Sequence, residues 1–531
     1  MTSFSMTGFS MARLSMTGLM ICMTLALGAD AEDAGAWTGF RNGGRSIAQG
    51  VAPATHWTPE SNIAWQFELP GYGQSAPVVL NGSLYLTVAE GPMKETCRVL
   101  ALNCSDGSER WSVSVKASAE APSNYAVARA APTPVVDAEG VYAFFESGNL
   151  LAIGHDGKVV WQRSLTDDYG KIDNHHGLGC SPAQTAGRLY LNVQHDGPSY
   201  LLAIDKKTGK TIWKVDRPSA KSWTTPIVVK PETGVQQVVV SSAGTVTGFS
   251  AADGRQLWEL KGVGGNSIPS PTAVGEFVYV GASVSDFDTE TGAAQSNLCL
   301  KITPETELGY EIVWRAKKAT ASYASPLVCD NCVYYVNNVG VVYCLDAKTG
   351  ERRYAHRLGV SCWATPVAVG NRVYFFGKNG TTKVIGAGPT FGLVATNTLW
   401  PAGQPPQPES YVETASQRRH GSASGGSRAR GGFAATLLKN DKDQDGRISA
   451  AELPARMRRI MAQVDKDGDG YLNKEELDKM SEDFRNRRKH SRESSRDPIV
   501  YGTAVAGGRI FIRTGTRIYS IHTSAQEVVG E

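Results

Sequence analysis

Two twelve-residue segments of the chain repeat the same spacing of oxygen-bearing side chains. The first runs from Asp441 to Glu452 and the second from Asp465 to Glu476. A hard cation such as Ca²⁺ takes roughly six to eight oxygen ligands, so acidic residues must recur at alternate positions of a tight loop. In both segments a glycine at the sixth position permits the sharp turn, and the final glutamate offers two oxygens. The predicted ligands are Asp441, Asp443, Asp445, Arg447, Ser449 and Glu452 in the first loop, and Asp465, Asp467, Asp469, Tyr471, Asn473 and Glu476 in the second, with Arg447 and Tyr471 contributing only backbone carbonyls.

This spacing resembles the EF-hand family over residues 433–490, and the resemblance implies that two Ca²⁺ ions bind. Residues 453–464 join the two loops and place their apolar side chains on one helical face. Residues 433–438 and 474–484 also have the pattern of short amphipathic helices. We therefore expect a small α-helical pair around the two loops.

The rest of the chain has the composition of an all-β protein. Its 531 residues include 57 glycines, and its apolar runs are short and rich in Val, Tyr and Phe. Charged residues make up 20% of the chain and the formal net charge is +3, so no global field favours nucleic acid as a partner.

The N-terminus has the pattern of an export signal. Arg13 precedes an apolar run at residues 14–27, and Ala29-Asp30-Ala31 has the form that a signal peptidase accepts. No other segment has the length and hydropathy of a membrane span. We therefore expect residues 1–31 to be a signal peptide and the mature protein to be periplasmic or associated with a bacterial cell envelope.

Two motifs recur along the chain and indicate a repeat architecture. A Ser/Thr-Pro or similar motif begins each unit, as in Thr133-Pro134 and Ser325-Pro326, and it is followed by strand-like runs. Each unit then ends with a turn and an aromatic residue, most clearly at Asp205-Lys-Lys-Thr-Gly209 followed by Trp213. Glycine tolerates the positive φ of such a turn, and the large indole needs a neighbour to pack against. Since four short strands cannot bury their own faces, radial packing of such units predicts a β-propeller.

The motif count predicts eight blades, with seven as the alternative if one weak copy is not a complete sheet. The last copy lacks its Trp-bearing strand, and an unattached strand with Trp65 stands before the first copy. We expect that strand to complete the eighth blade. The predicted organisation is a signal peptide (1–31), seven blades plus the closing strand (37–400), a flexible Pro/Gly/Ser-rich linker (401–432), the EF-hand pair (433–490), and a second linker with the final blade (491–522).

The repeat resembles the PQQ-like (quinoprotein-like) propeller family, whose units carry an AxDxxTGxxxW signature matched from Ala203 to Trp213. One branch of that family comprises PQQ-dependent alcohol and sugar dehydrogenases, and the other comprises envelope scaffolds such as BamB. The dehydrogenases commonly have a vicinal Cys-Cys pair over the quinone, and this sequence has no Cys-Cys dipeptide.

The loops before the inner strands of a propeller cluster at one mouth. Four residues of these loops are candidates for binding a planar ligand, Trp223 and Trp363 by stacking and Arg129 and His176 by pairing with a carboxylate. The same loops also contain Tyr125, His175, Tyr323 and Tyr501. The other interpretation is that these aromatic residues plug the channel or contact a protein.

The sequence therefore favours a calcium-binding scaffold that contacts other envelope proteins. The alternative is a PQQ-dependent alcohol or sugar dehydrogenase, and PQQ is then a second cofactor.

Overall fold

The computed structural model describes residues 35–122, 127–283, 295–316, 319–401, 403–406, 443–453, 467–479 and 499–522, together with Met1, Asp441 and Asp465. The predicted signal peptide apart from Met1, most of the linker 401–432, the predicted helix 433–438, residues 454–464 of the predicted helix 453–464, and Tyr125 lie outside the described residues. In the part of the chain that is described, no helix has the length and apolar character needed to cross a membrane.

Seven four-stranded antiparallel sheets and one five-stranded sheet form an eight-bladed propeller, which confirms the predicted fold and count. Two strands precede the first blade, and these are β1 (Ile47–Ala48) and β2 (Ile63–Glu68). Blades 1 to 4 consist of β3 (Val78–Leu80), β4 (Ser83–Glu90), β5 (Thr96–Asn103) and β6 (Glu109–Lys116); β7 (Val135–Val136), β8 (Val141–Phe144), β9 (Asn149–Ile153) and β10 (Val159–Ser164); β11 (Ala183–Gln184), β12 (Arg188–Val193), β13 (Ser199–Asp205) and β14 (Thr211–Arg217); and β15 (Ile227–Val229), β16 (Gln237–Ser242), β17 (Gly244–Ser250) and β18 (Gln256–Val263).

Blades 5 to 7 continue the same order from the axis outward. They consist of β19 (Thr272–Val274), β20 (Phe277–Val280), β21 (Leu298–Ile302) and β22 (Tyr310–Arg315); β23 (Leu327–Cys329), β24 (Cys332–Val336), β25 (Val341–Asp346) and β26 (Arg352–Arg357); and β27 (Val367–Val369), β28 (Arg372–Phe376), β29 (Thr381–Gly386) and β30 (Leu393–Thr398). A separate two-stranded ribbon follows, β31 (Ile448–Ser449) with β32 (Tyr471–Leu472), and blade 8 contains β33 (Gly502–Ala506), β34 (Arg509–Arg513) and β35 (Arg517–His522).

The N-terminal strand closes the ring. β2 pairs antiparallel with β35, with Phe67 opposite Ile518, so blade 8 is built from both ends of the propeller sequence. Its inner strand β33 neighbours β3 of blade 1. Buried Val, Ile, Leu and Phe side chains fill the spaces between adjacent blades.

The Gly and Trp of the recurring motif meet across blade boundaries. The indole of Trp161 in blade 2 lies against Gly209 in blade 3, where an added Cβ would come within 2.7 Å of the ring. Gly209 has a φ of 69°, so the position requires glycine both for its backbone conformation and for its lack of a side chain. The indole Nε1 also donates a hydrogen bond to the backbone carbonyl of Lys206 at 2.7 Å.

The Ser/Thr-Pro motifs form a belt of hydrogen bonds around the axis. The backbone N–H of Ser181 in blade 3 donates to the hydroxyl of Thr225 in blade 4, and the N–H of Thr225 donates to Ser270 in blade 5, both at 2.9 Å. Proline follows each of these residues and has no N–H of its own, so the hydroxyl of the neighbouring blade satisfies the donor just before it. The belt continues through Ala76, Thr133, Ser325 and Thr365.

Three short helical segments accompany the strands in the described residues. α1 (Arg41–Gly44) consists of residues with positive φ and is a left-handed turn rather than an α-helix. α2 (Leu165–Tyr169) begins after Ser164, whose hydroxyl accepts a hydrogen bond from the N–H of Asp167. Residues 474–479 are helical and follow the second acidic loop.

Candidate calcium loops and propeller mouth

The acidic residues at the first, third and twelfth positions of each loop lie close together. One carboxylate oxygen from each of Asp441, Asp443 and Glu452 lies within 4.8 Å of the others, and Asp465, Asp467 and Glu476 form an equivalent group. These are three of the six predicted ligands of each loop. Carboxylate oxygens gathered at this separation match the ligand preference of Ca²⁺.

Backbone N–H groups shape each loop around its first aspartate. The N–H of Gly446 donates to Oδ2 of Asp441, and that of Gly470 donates to Oδ2 of Asp465, both at 2.9 Å. Both glycines have a φ of 82°, a conformation that side-chain-bearing residues rarely adopt. The sixth-position glycine therefore has the role that the sequence predicts for it.

A short ribbon joins the two loops. In the antiparallel pair β31–β32, Ile448 lies opposite Leu472, and both side chains are fully buried. Leu453 and Leu477 are also buried beside the loops. The aliphatic eighth positions thus hold the two loops against each other.

Hydrogen bonds among the predicted ligands stabilise the backbone of each loop. Oε2 of Glu452 accepts hydrogen bonds from the N–H of Ser449 at 2.9 Å and from its hydroxyl at 2.8 Å. Oδ1 of Asn473 accepts the N–H of Glu476 at 3.0 Å. Asp445 and Asp469 each use Oδ1 to accept the N–H of the residue two positions later, Arg447 and Tyr471 respectively, at 2.8 Å.

The electrostatics of the loops fit a bound cation. Oδ1 of Asp441 is buried and meets no hydrogen-bond donor among the described residues. The backbone hydrogen bond from Asp445 lowers the pKa of Asp443, but desolvation and the charges of Asp445 and Glu452 outweigh it, so the pKa of Asp443 is raised. The pKa of Asp467 is raised by the corresponding groups of the second loop. A divalent cation relieves this repulsion, and the residues present therefore fit Ca²⁺.

The predicted mouth residues form an arc rather than one pocket. Trp363 lies 6.1 Å from Tyr501 between ring centroids, and Tyr501 contacts Tyr72 through their hydroxyls at 2.7 Å. The guanidinium of Arg129 lies over the ring of Tyr72. The arc thus brings Trp363 and Arg129 together indirectly, through two tyrosines.

The arc continues into the loops of blades 3 and 4. The carbonyl of His176 accepts the N–H of Ala128 at 2.8 Å, and the ring of His176 lies 6.2 Å from that of Trp223. The indole of Trp223 donates to the carbonyl of Gly177 at 2.9 Å. His176 and Trp223 therefore lie close together at one end of the arc, Trp363 lies at the other end, and Arg129 lies between them.

The sequence interpretation did not foresee that residues 37–48 cross the propeller axis. Trp37 forms an antiparallel bridge to Val79 of blade 1. Arg41 donates to Oγ1 of Thr272 in blade 5 at 2.7 Å and to the carbonyl of Pro271. β1 then runs parallel to β27 of blade 7 as an additional innermost strand. The run Asn42-Gly43-Gly44, which permits the left-handed turn, was the one local signal of this path.

The family comparison covers most of the propeller. A family model described as "Outer membrane protein assembly factor BamB" matches residues 27–176, 170–307 and 284–387. A second model, described as "EF hand", matches residues 433–456 and 457–481.

Individual relatives match shorter segments or share only the fold. The outer membrane protein assembly factor BamB of Vibrio cholerae is 30% identical over 154 residues, which are 28% of this chain and 36% of the relative, so the chain spans about a third of the curated relatives' length. The crystal structure of BamB from Moraxella catarrhalis superposes with a TM-score of 0.50 at 10% identity and covers 87% of this chain and 97% of that one. A europium-containing methanol dehydrogenase has a TM-score of 0.47 at 10% identity, covering 71% of this chain and 88% of that one. By the extent of the family match, the chain belongs to the BamB family of PQQ-like propellers and carries an EF-hand pair in the sequence between blades 7 and 8.

Proposed function

We propose that this protein is an exported, calcium-binding propeller that acts as a protein-binding or assembly scaffold in the cell envelope. Relatives named outer membrane protein assembly factor support an envelope location. The aromatic mouth of blades 6 to 8 is the observation that carries the proposal.

That mouth presents apolar side chains on a rigid ring. Tyr323 is 42% exposed and Val339 is 53% exposed, and both lie in loops on the side where the inner strands begin. Tyr323 packs 5.1 Å from Trp363, and the ammonium of Lys378 lies 5.6 Å from the indole centroid of Trp363. Exposed aromatic residues beside a cation are typical of the centre of a protein-binding surface.

Hydrogen bonds between neighbouring loops hold the backbone beside Tyr323 and Val339 in place. The N–H of Asn338 donates to the hydroxyl of Ser322 at 3.0 Å, and the hydroxyl of Ser361 donates to the carbonyl of Asn338 at 2.6 Å. These bonds join three loops of blades 6 and 7. A surface fixed in this way loses little conformational entropy when a partner binds.

The dehydrogenase alternative has less support from the geometry. Trp363 and Arg129 are linked through Tyr501 and Tyr72, and Trp223 lies at the far end of the arc. The chain's own residues 37–48 cross the axis between the inner strands. Both features favour a binding surface at the mouth over a quinone pocket in the channel.

Calcium has a structural role in this proposal. Asp441, Asp443, Glu452 and their counterparts in the second loop would hold two ions, and each ion would neutralise its loop's carboxylates. We expect this to fix the inserted pair in one conformation within the envelope.

Site-specific photo-crosslinking in the producing cells tests the proposal. A photoreactive residue at position 323 should yield a discrete adduct with another envelope protein, whereas one at Leu308 should not. Leu308 is a suitable control because it is 64% exposed but lies in a turn at the opposite face of the propeller. A Val339→Ser substitution should weaken the adduct at position 323. Equal labelling at both positions, or none at 323, would contradict the scaffold.

A separate measurement tests the alternative that the protein is a PQQ-dependent dehydrogenase. Purified protein is titrated with PQQ in excess Ca²⁺ while quinone absorbance and dye-coupled alcohol oxidation are recorded together. Saturable binding with turnover would establish the dehydrogenase and overturn the scaffold as the main function.

A further inference from the structure

The segment that crosses the axis contains three buried polar atoms that lack a protein partner. These are Nε1 of Trp37, Nε of Arg41 and Oγ of Ser46, and none of them meets a hydrogen-bond partner in the described part of the chain. The three residues are only 1%, 4% and 1% exposed. Buried polar groups in native proteins are nearly always satisfied, and leaving one unsatisfied is costly.

All three residues border the same axial cavity. It lies between the crossing segment and the inner strands of blades 1, 2, 7 and 8, and Tyr501 of the mouth also borders it. The polar side chains around it include Gln74, Thr133, Thr365 and Thr503. No Asp or Glu of the described chain lines this cavity or the one on the other side of the segment.

Arg41 is a buried cation at the border of this cavity. Its other guanidinium nitrogens donate to Thr272 and to the carbonyls of Pro271 and Pro326, which are neutral acceptors. Burial lowers the pKa of Arg41 to about 9, so the group remains protonated at neutral pH. A buried charge is stable in a protein only when a counter-charge or strong hydrogen bonds compensate it.

Two buried lysines pair with carboxylates, whereas the buried Arg513 donates to Ser75 and to the carbonyl of Thr87. Lys94 pairs with Glu146 at 3.2 Å, and Lys206 pairs with Asp137 at 2.5 Å. Arg41 has no carboxylate within salt-bridge distance among the described residues. Water in the cavity would satisfy its Nε–H but would leave its charge uncompensated.

The backbone holds Arg41 in an unfavourable conformation. Its φ is 54° and that of Asn42 is 48°, in the left-handed region that costs side-chain-bearing residues roughly 1–2 kcal/mol each. The carbonyl of Arg41 accepts the N–H groups of Arg45 at 2.8 Å and Ser46 at 2.7 Å, which lock the turn. Strain of this kind persists where the surrounding structure requires a side chain at one place.

We propose that this axial cavity binds a small monovalent anion, a halide or a simple carboxylate, through Nε of Arg41, Nε1 of Trp37 and Oγ of Ser46. The anion satisfies the three groups and supplies the missing counter-charge at the same time. It thereby fixes residues 37–48 between the blades. The cavity shares no residue with the calcium loops.

Chloride is the probe for the first test. The thermal unfolding midpoint of the calcium-loaded full chain is measured at constant ionic strength while chloride replaces gluconate, which is too large for the site. Binding to the folded state alone should raise the midpoint with chloride in a saturable way. A midpoint that is independent of chloride in the wild-type protein would overturn the proposal.

Paired tryptophan substitutions separate the site from general destabilisation. Trp37→Phe removes one donor to the anion and should weaken chloride binding about fivefold or more, as expected for loss of a hydrogen bond to a charged group. Trp57→Phe is the matched control, because Trp57 is 2% exposed and its Nε1 also lacks a partner among the described residues, yet it does not border this cavity. Equal loss of chloride dependence in both variants would contradict the site.

Direct observation completes the test. Crystals grown in bromide should show an anomalous peak beside Arg41 in the wild-type protein and none in Arg41→Gln. If Arg41→Gln does not fold, Ser46→Ala should reduce the bromide occupancy instead. Water alone in this cavity of the wild-type crystals would exclude the anion.

Discussion

The indole of Trp65 in the N-terminal strand lies directly against Gly107 of blade 1. A Cβ added to Gly107 would come 2.7 Å from Cε3 of Trp65, and Nε1 of Trp65 donates to the carbonyl of Cys104 at 3.0 Å. Because Trp65 belongs to β2 and β2 completes blade 8, this contact seals the junction between the last blade and the first. The same relationship recurs between Trp111 and Gly157 and between Trp314 and Gly350.

Replacing Gly107 should weaken the ring at this junction. Gly107→Ala forces a side chain into a residue with a φ of 75° and also displaces the indole, so we expect a loss of about 2–4 kcal/mol in unfolding free energy. Gly82→Ala is the matched control, since Gly82 has a φ of 71° but no atom within 4 Å of an added Cβ. Urea unfolding measures both, and similar losses in the two variants would refute the contact's role.

The turn aspartate of blade 6 should contribute stability that depends on pH. The hydrogen bond from Arg353, followed by that from the N–H of Thr349, lowers the pKa of Asp346 to about 2. A carboxyl whose pKa is depressed on folding stabilises the protein above its unfolded pKa of about 4, and this stabilisation is lost as the pH falls to about 2. Solvent screening keeps the effect below about 1 kcal/mol.

Asp346→Asn should therefore be slightly less stable than the wild-type protein at pH 7. The two proteins should converge as the pH approaches 2. Thermal unfolding across this range measures the difference. A gap that stays constant with pH would show that the carboxylate charge does not contribute.

Loss of the first aspartate of each loop should abolish calcium binding without affecting the propeller. Asp441→Ala with Asp465→Ala removes one ligand from each group of three carboxylates and the acceptor of each loop glycine. Calorimetric titration should show no saturable calcium binding, while the β signal in circular dichroism stays unchanged. Collapse of that signal would contradict the independence of the inserted pair.

Arg447 should weaken calcium binding at the second loop. Its Nη1 lies 3.5 Å from Oδ2 of Asp469, whose other oxygen already accepts the N–H of Tyr471. The guanidinium of Arg447 therefore competes with Ca²⁺ for Oδ2 of Asp469. Arg447→Gln should tighten binding at the second loop about two- to fivefold at low salt, with a smaller effect at high salt.

Terbium luminescence isolates that second loop. Tyr471 occupies the position in the second loop that Arg447 occupies in the first, so its excitation sensitises a lanthanide in the second loop. Arg357→Gln is a suitable control, because it removes an exposed arginine of blade 6 that contacts the carbonyl of Val339. An unchanged terbium affinity in Arg447→Gln at low salt would refute the competition.

The sequence by itself determined the features that depend on local chemistry. Asp441, Gly446 and Glu452 stand at the spacing of a calcium loop, and a loop of twelve residues closes on itself without help from distant parts of the chain. The Gly and Trp of the repeat predicted the blades in the same way, because each turn is local and each blade repeats it. Cys329 and Cys332 pair across a local two-residue hairpin, and its central residues Asp330 and Asn331 have the positive φ values that such a turn requires.

Only the tertiary structure decided how distant residues meet. Arg41 contacts Thr272 across 231 positions of sequence, and no local pattern encodes that pairing. The belt through Thr225 and Ser270 likewise depends on the radial packing of neighbouring blades. The mouth residues Trp363 and Arg129 belong to different blades, so their contacts through Tyr501 and Tyr72 depend on the closure of the ring. Spacing along the chain determines the relative positions of groups that are close in sequence. Closure of the ring determines the distances between residues that are far apart in sequence.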